Sequence, residues 1–306
     1  MRKTEKRTFL INDIARAAAL IRAGELVAFP TETVYGLGAN ALDVAAIEKI
    51  YAAKGRPPGS PLIVHVSSIE MARGLVREWP EQAEKLAAKF WPGPLTLVLP
   101  RQPHVPDRLT AGLDTVGVRM PANPIALELI RAAGVPIAAP SANRFTELSP
   151  TTAQHVRDAL GDRVAMVLDG GRTTVGIEST VLSLAGSGAV LLRPGMVTRQ
   201  EIEEVIGPVQ ALGPVEDGCH ASPGLHRRHY SPKTPLILVE PGKLPPSGRG
   251  ICLQMPTDSR EYAAVLYERL HEADAQGWDW IVIEQPPPGD EWSAIRDRLE
   301  RAAYRS

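Results

Sequence analysis

The chain has 306 residues, 44% of them apolar and 23% charged, the composition of an ordinary globular protein rather than a disordered or fibrous one. Its 34 Lys+Arg against 35 Asp+Glu leave a net charge of -1, which excludes the broad basic footprint of a protein built to grip nucleic acid, and 5% aromatics argue against a base-stacking platform. Two cysteines, Cys219 and Cys252, are too few for a structural zinc site and too far apart for a redox C-x-x-C pair, which fits a reducing compartment.

The opening segment MRKTEKRTFLIND starts basic but lacks the roughly 7 to 15 apolar residues of a secretory leader, and no later run approaches the roughly 18 residues of a membrane span; a cytoplasmic protein without membrane contact is expected. Helical periodicity follows in NDIARAAALIRAGE, with Asn12 or Asp13 as its cap and Gly24 as its stop, and the strand LVAFP comes next. DVAAIEKIYAAKG repeats the helical pattern between Asp43 as N-cap and Gly55 as terminator, ahead of the apolar run PLIVHV. Strand patterns at 94–100, 115–121, 136–140, 165–171, 178–184 and 189–195 alternate with helical ones at 80–91, 123–133 and 151–160. Alternation of this kind predicts an α/β fold, an open sheet with helices packed on it. From Gly207 to Pro235, glycine and proline interrupt every period, which reads as a linker. Beyond it, TPLILVE, GRGICLQM, SREYAAVLYERLHEADAQG, WDWIVIEQ and EWSAIRDRLERAAYR predict a smaller α/β domain. The expected division is 1–206, a linker or lid at 207–233, and 234–306.

No phosphate-binding P-loop, dinucleotide fingerprint, H-E-x-x-H or nucleophile elbow is present. What stands out is a set of acid-free stretches at turns: Lys49, Lys54, Arg56 and His65 between Glu48 and Glu70; Arg131 and Arg144 between Glu128 and Glu147; Arg193 and Arg199 between Glu178 and Glu201; and the linker between Asp217 and Glu240. Basic groups at loop ends without neighbouring acids make a local anion site, against the alternative of solvated surface charge. Lys54 and Arg56 flank Gly55, whose flexibility lets both cations point the same way, with Ser60 and His65 close behind. Ser141, Asn143 and Ser149 follow an apolar strand, and the helix start after SPTT adds a partial positive charge toward a phosphate. In TVGVRMP the two-residue period places Arg119 with Thr115 and Gly117, opposite Val116 and Val118, and Gly117 is expected to leave space for bidentate capture of a carboxylate. Ser179 and Thr180 in GIESTV and Arg193 in LLRPG repeat the theme of polar groups at strand ends.

These residues fall in FPTETVYGLGANA (29–41), KGRPPGSPLIVHV (54–66), FWPGPLTLVL (90–99), GLDTVGVRMP (112–121), APSANRF (139–145), SPTTA (149–153), GIESTV (176–181), LLRPG (191–195) and PGLHRRHYSPK (223–233). In order and spacing these strings resemble the YrdC-like threonylcarbamoyl-AMP synthases, in the two-domain form with an additional C-terminal domain. The resemblance covers residues 10–235 by motif and the rest by pattern. It implies a YrdC-like twisted open sheet, a small Rossmann-like C-terminal domain, and synthesis of L-threonylcarbamoyl-AMP and pyrophosphate from L-threonine, bicarbonate and ATP.

Carried over by motif, Lys54, Arg56, Ser60, Thr115, Ser141, Asn143, Ser149 and Arg193 resemble the nucleotide-binding set, with Lys54 and Arg56 as the catalytic cations. Thr33, His65, Arg119, Ala139 and Ser179 resemble the threonine-binding set, Ala139 through its backbone. His229 and Tyr230 match a linker motif that resembles a lid, and Leu225 stands where relatives have Met. Position 60 carries Ser where many relatives carry Asn, a shorter polar group. The resemblance also implies Mg²⁺ arriving with ATP and no metal site of the protein's own. The product would pass to a tRNA threonylcarbamoyl transferase complex, with no strong direct binding of nucleic acid. The alternatives are a carbamoyl-AMP-forming carbamoyltransferase, which the cysteine count disfavours, an RNA-binding module, and a regulatory threonine or nucleotide sensor.

Overall fold

The structure is a computed structural model that describes residues 3–57, 59–211, 229–243 and 247–304, with side chains from residue 12 onward. Leu225, Cys219 and most of the expected linker lie outside the described residues. In chain order the large lobe comprises α1 (Lys3–Arg22), β1 (Val27–Pro30), β2 (Tyr35–Asn40), α2 (Val44–Lys54), β3 (Ile63–His65), α3 (Ile69–Arg73), α4 (Glu81–Phe90), β4 (Leu95–Pro100) and α5 (Asp107–Thr110). It continues through β5 (Thr115–Arg119), α6 (Pro124–Ala133), β6 (Ile137–Ala138), α7 (Ala153–Leu160), β7 (Met166–Val167), β8 (Thr180–Ser183), β9 (Val190–Arg193), α8 (Arg199–Ile206) and β10 (Gln210–Ala211). The small lobe holds β11 (Leu236–Val239), β12 (Gly250–Cys252), α9 (Ser259–Asp274), β13 (Trp280–Glu284) and α10 (Asp290–Ala303).

The large lobe is one mixed sheet ordered β10-β9-β8-β4-β5-β3-β6-β2-β1-β7; the small lobe is a parallel sheet ordered β11-β13-β12. Strand alternation divides the large sheet into two faces. Val64, Leu97, Val116, Val118, Ala138 and Leu182 point into the main core with apolar residues of α2, α4 and α7. On the other face, Val27, Phe29, Ile137 and Ala139 pack against α1 and α6, while Ile63, Val98, Val181 and Leu192 form a smaller patch. The candidate site residues of β3 and β5, His65 and Arg119, share this second face with Ile63 and Gly117 and are paired across the two strands.

The helix α2 follows its sequence signals closely. Asp43 caps Ala45 and Ala46, and Gly55 closes the helix at φ 62°, a left-handed turn that glycine adopts without a Cβ penalty. Helix α1 instead begins at Lys3, so Asn12 and Asp13 lie inside it rather than at its cap. Strand β2 carries no strand signal in sequence because Gly36 and Gly38 have low β propensity. Its glycines are required by the neighbouring strand: a Cβ at Gly38 would stand 2.7 Å from the ring of Phe29.

The lobes join through a shared apolar cluster that combines Val34, Leu148, Ile177 and Tyr230 with Tyr262, Leu266, Tyr267, Ile295 and Leu299. At Gly176 the approach is backbone to backbone, since a Cβ there would lie 2.2 Å from the Ala263 carbonyl oxygen and 2.6 Å from the Ala264 Cα. Its φ of 83° adds a second restriction to glycine. Gly176→Ala should therefore cost about 2 to 4 kcal/mol, combining overpacking with left-handed strain. Urea unfolding would measure it, and the loss should be accompanied by separation of the lobes rather than by melting of the large sheet.

Candidate active site

A cleft of about 550 Å³, counted to its mouth, opens on the second face of the sheet and is lined by Thr31, Thr33, Val34, Gly36, Arg56, Ile63, His65, Arg119, Ala139, Pro140, Ser141, Glu178, Ser179, Arg193, His229 and Tyr230. The three guanidiniums come from distant parts of the chain: the loop after α2, the end of β5 and the end of β9. Each of the three arginines is less than 9% exposed. Three buried cations against the single carboxylate of Glu178 in the lining make a concave surface suited to an anionic ligand, an arrangement that packing alone would avoid.

Arg119 is held rigidly. Its Nε donates to the Gly93 carbonyl at 3.2 Å, Nη1 donates to Thr33 Oγ1 at 3.0 Å, and Nη2 lies 2.6 Å from the Glu32 carboxylate. The open space expected beside Gly117 is absent: a Cβ there would meet Thr96 Cγ2 at 3.3 Å and Ile63 at 3.6 Å. Glycine serves close packing at that point, and the room around the guanidinium comes from the cleft. Thr33 Oγ1 is also 2.8 Å from Thr31 Oγ1, so the β1–β2 turn fixes the group that orients Arg119. Glu32, outside the cleft lining, is the ion-pair partner of a cleft arginine; the motif FPTETV contains it, but charge counting in sequence does not reveal it.

Arg193 donates to the Ser179 carbonyl from Nε at 3.1 Å and from Nη2 at 2.9 Å, and Nη2 also reaches Ser179 Oγ at 3.3 Å. Ser179 Oγ is in turn 2.8 Å from Thr96 Oγ1. One residue of the expected nucleotide set thus holds one of the expected threonine set. Arg56 donates from Nη2 to the Pro61 carbonyl at 3.2 Å, a neutral acceptor that leaves its charge uncancelled. Burial pulls its pKa down to about 10, so it stays a cation at neutral pH.

Lys54, Asn143 and Ser149 do not line the cleft. The Lys54 ammonium is buried and donates to the Ser141 carbonyl at 2.6 Å, the Asn143 carbonyl at 2.6 Å and Asn143 Oδ1 at 3.3 Å. Asn143 Nδ2 donates to the Arg144 and Glu147 carbonyls, and Ser149 Oγ donates to Glu178. These side chains brace the loop that presents Ser141. Burial first, then Arg56, drives the Lys54 pKa well below its ordinary value. Ser60 is buried outside the cleft, where its carbonyl accepts from Tyr51 Oη at 2.8 Å. Thr115 lines an adjoining small cavity with Leu113 and Val116, and Ile63 is common to both. The α7 N-terminus, capped by Thr152, is not on the cleft wall, so it supplies no dipole there.

The acid-free stretches mark the site only in part. Lys49 pairs at the surface with Glu25, twenty-four residues earlier, at 2.8 Å, while Arg131 pairs with Glu128 at 3.7 Å and Arg199 with Glu203 at 2.9 Å one helical turn away, just outside the acid-free stretches. His229 and Tyr230, the described end of the linker, close one side of the cleft. Their rings contact each other with centroids 4.1 Å apart, and His229 packs edge-on against Phe145 at 5.8 Å.

Two family models match the chain: Sua5_yciO_yrdC, described as telomere recombination, over residues 19–195, and Sua5_C, described as threonylcarbamoyl-AMP synthase, C-terminal domain, over residues 197–304. A threonylcarbamoyl-AMP synthase from Bacillus subtilis is 45% identical, with 95% of this chain and 92% of that protein aligned. Another from Pyrococcus abyssi is 53% identical over 73% of this chain and 67% of its own length. The solved structure of P. abyssi Sua5 complexed with L-threonine superimposes with a TM-score of 0.89 at 42% identity, covering 95% of this chain and 94% of that one.

Among the cleft residues His65 gives a direct test of the electrostatics. Burial, then the neighbouring Arg119, push its pKa down to about 3. The unfolded chain takes up this proton near pH 6.5 and the folded one only near 3, so His65 makes stability fall as pH drops through that window. Imidazole nitrogen shifts should show a neutral ring at pH 5, and His65→Gln should flatten the pH dependence of urea unfolding between pH 7 and 5.

Proposed function

The chain belongs to the Sua5/YrdC-like threonylcarbamoyl-AMP synthases, in their two-domain form, and on that premise we propose how its cleft divides the work. The enzyme forms threonylcarbamoyl-AMP from L-threonine, bicarbonate and ATP and serves tRNA modification. Two of the three alternatives raised by the sequence, a carbamoyl-AMP-forming transferase and an RNA-binding module, leave the small lobe unaccounted for.

The carrying observation is the convergence of Arg56, Arg119 and Arg193 on one buried cleft. Threonine, its ammonium having lost a proton to solvent, attacks bicarbonate with loss of water, or CO₂ with loss of a second proton, to give a carbamate; a carbamate oxygen then attacks the α-phosphate of ATP, and the bond to the β-phosphate breaks to release pyrophosphate. Both reactants are anions, so bringing them together demands charge neutralisation and alignment more than an activated protein nucleophile. Arg119, fixed by Gly93, Thr33 and Glu32, takes the threonine carboxylate, with His65, Ser179 and the Ala139 backbone around it. His65 is neutral and so adds hydrogen bonding without repelling the threonine ammonium. Arg56 and Arg193 take the triphosphate, with Ser141, His229 and Tyr230 at its margin. The Arg193–Ser179 contact sets the two half-sites side by side, as an attack of carbamate on phosphate needs. Lys54 acts by holding the Ser141 loop.

Mg²⁺ would enter with the triphosphate and neutralise part of its charge. The carboxylates beside the cleft do not form a cage for it, because Glu32 is engaged by Arg119 and Glu178 by Arg298, and among the described residues no cluster of three metal-ligating side chains occurs. The product would pass to a tRNA threonylcarbamoyl transferase complex in the cytoplasm. Among the described residues no helix is long and apolar enough to cross a membrane.

Purified protein should release pyrophosphate only when L-threonine, bicarbonate, Mg²⁺ and ATP are all present; threonine-independent or ADP-forming turnover would defeat the assignment. Arg119→Lys should raise the KM for threonine by about tenfold or more, the loss of one charge-assisted hydrogen bond, while the KM for ATP stays within about twofold. Equal weakening of both substrates would remove Arg119 from the threonine half-site.

A further inference from the structure

We propose that Arg298, on the last helix of the small lobe, is a positioning residue for the cleft: it grips the Glu178 carboxylate and lies against the Tyr230 ring, so that the small lobe completes the wall of the active site. The inference rests on the cleft being the site of synthesis.

Arg298 is completely buried, and its donors are spread over three acceptors. Nε donates to Glu178 Oε2 at 2.8 Å, Nη1 to Asp297 at 2.7 Å and Nη2 to the Glu178 carbonyl at 3.5 Å. Glu178 belongs to the large lobe and lines the cleft, and its carboxylate also accepts from Tyr267 Oη on α9 at 3.1 Å and from Ser149. One carboxylate therefore ties two helices of the small lobe to the loop that carries Ser149. The next residue, Ser179, is the one whose carbonyl receives Arg193, so a shift of Glu178 moves the anchor of a cleft guanidinium.

Tyr230 is the second contact. The Arg298 guanidinium carbon stands 5.2 Å from the centre of its ring, and Tyr267 packs against the ring with centroids 5.9 Å apart. Tyr230 has φ 60°, a left-handed conformation that costs a non-glycine residue about 1 to 2 kcal/mol and persists only where surrounding contacts enforce it. Its phenolic oxygen is buried and without a hydrogen-bond partner among the described residues, while the residue lines the cleft. The preceding linker residue is held from the same helix, His229 N–H donating to the Arg301 carbonyl at 3.4 Å, and Arg301 is braced by Asp297 at 2.9 Å. Strained backbone, an unspent hydroxyl and a fully buried arginine meet where the small lobe touches the cleft.

A buried ion pair could equally serve docking alone, and the two roles separate experimentally. Burial would raise the Glu178 carboxyl, but Arg298, then Arg193, with hydrogen bonds from Ser149 and Arg298, hold it below its ordinary value. The groups facing it are Arg298 and Asp297 from α10, Tyr267 from α9, Tyr230 from the linker, Arg193 from β9, Ser149, and Lys54 at the end of α2. Without Arg298 the carboxyl rises, is protonated on the acid side and regains its charge as pH increases.

The test uses the full chain: wild type, Arg298→Met, Arg298→Lys, Glu178→Gln and Arg298→Met with Glu178→Gln, read by threonine-dependent pyrophosphate release from pH 6 to 9, thermal unfolding, and hydrogen exchange at residues 229–234. Arg298→Met should lower kcat by about tenfold to a hundredfold, the scale of a small misplacement at a reacting centre, with a smaller change in the KM for threonine. Its rate should recover toward high pH, Arg298→Lys should be intermediate, and the double variant should lose the pH dependence. Exchange at 229–234 should quicken while β4 and β5 stay protected. A folded Arg298→Met protein with wild-type kcat, pH profile and linker exchange overturns the proposal. If Arg298→Met does not fold, Tyr267→Phe, which removes one donor to Glu178, decides in its place by the same kcat and exchange measurements, and unchanged values overturn it. A wild type without threonine-dependent turnover sinks the assignment of activity instead, and the exchange data alone then judge the role of Arg298.

Discussion

Arg56, Arg119 and Arg193 are withdrawn from water around one cleft, and moving an ion of this kind out of water costs several kcal/mol unless partners compensate. The compensation is uneven. Arg119 has a carboxylate, Arg193 has the Ser179 carbonyl and hydroxyl, and Arg56 donates to the carbonyl of Pro61. The Pro61 carbonyl dipole satisfies an Arg56 N–H without cancelling the charge of the guanidinium. The cleft is therefore poised for an anion, and its binding returns electrostatic energy that folding has forgone. A chemistry that joins a carbamate to a triphosphate is suited to this arrangement because both partners bring negative charge.

The sheet explains why these cations share a cleft although more than a hundred residues separate the first from the last. A two-residue period sends Val116 and Val118 into the main core and leaves Gly117 and Arg119 on the opposite face. The same period on β3 sends Val64 inward and Ile63 and His65 outward, in register with β5. The faces of β5 were legible from TVGVRMP, whereas PLIVHV read only as an apolar run. Strand order was not legible: the placement of β6 between β2 and β3, which carries Ala139 and Ser141 to the cleft, depends on long-range pairing that no local pattern encodes. β2 itself was hidden because Gly36 and Gly38 answer to the bulk of Phe29 and Ala139 rather than to strand propensity.

Residue chemistry was legible where it was local and misleading where partners arrive from afar. Gly55 and Asp43 acted as their positions predicted. Lys54, read with Arg56 as a catalytic cation of the nucleotide-binding set, is enclosed by Ser141 and Asn143, some ninety residues onward, and donates to both of their carbonyls. Ser149 is not in the cleft lining itself and donates to Glu178, which is; in sequence Glu178 had marked only the edge of an acid-free stretch. The family motifs identify these positions as a set, but they do not separate residues that line the cleft from those that hold the lining in place.

Glu178 shows how the two lobes share one electrostatic problem. Glu178 must stay ionised to accept from Arg298, Tyr267 and Ser149 together, and burial opposes that ionisation. Arg298 and Tyr267 draw one of its oxygens toward the small lobe, and Ser149 engages the other. Arg298 thereby offsets the one carboxylate among the described lining residues and leaves the field to the arginines. The small lobe docks at Gly176, two residues earlier, through contacts too close for any side chain. Docking geometry and the charge of the cleft are in this way set by the same short segment, so disturbing the first should be felt in the second even though no residue of α10 is in the cleft lining.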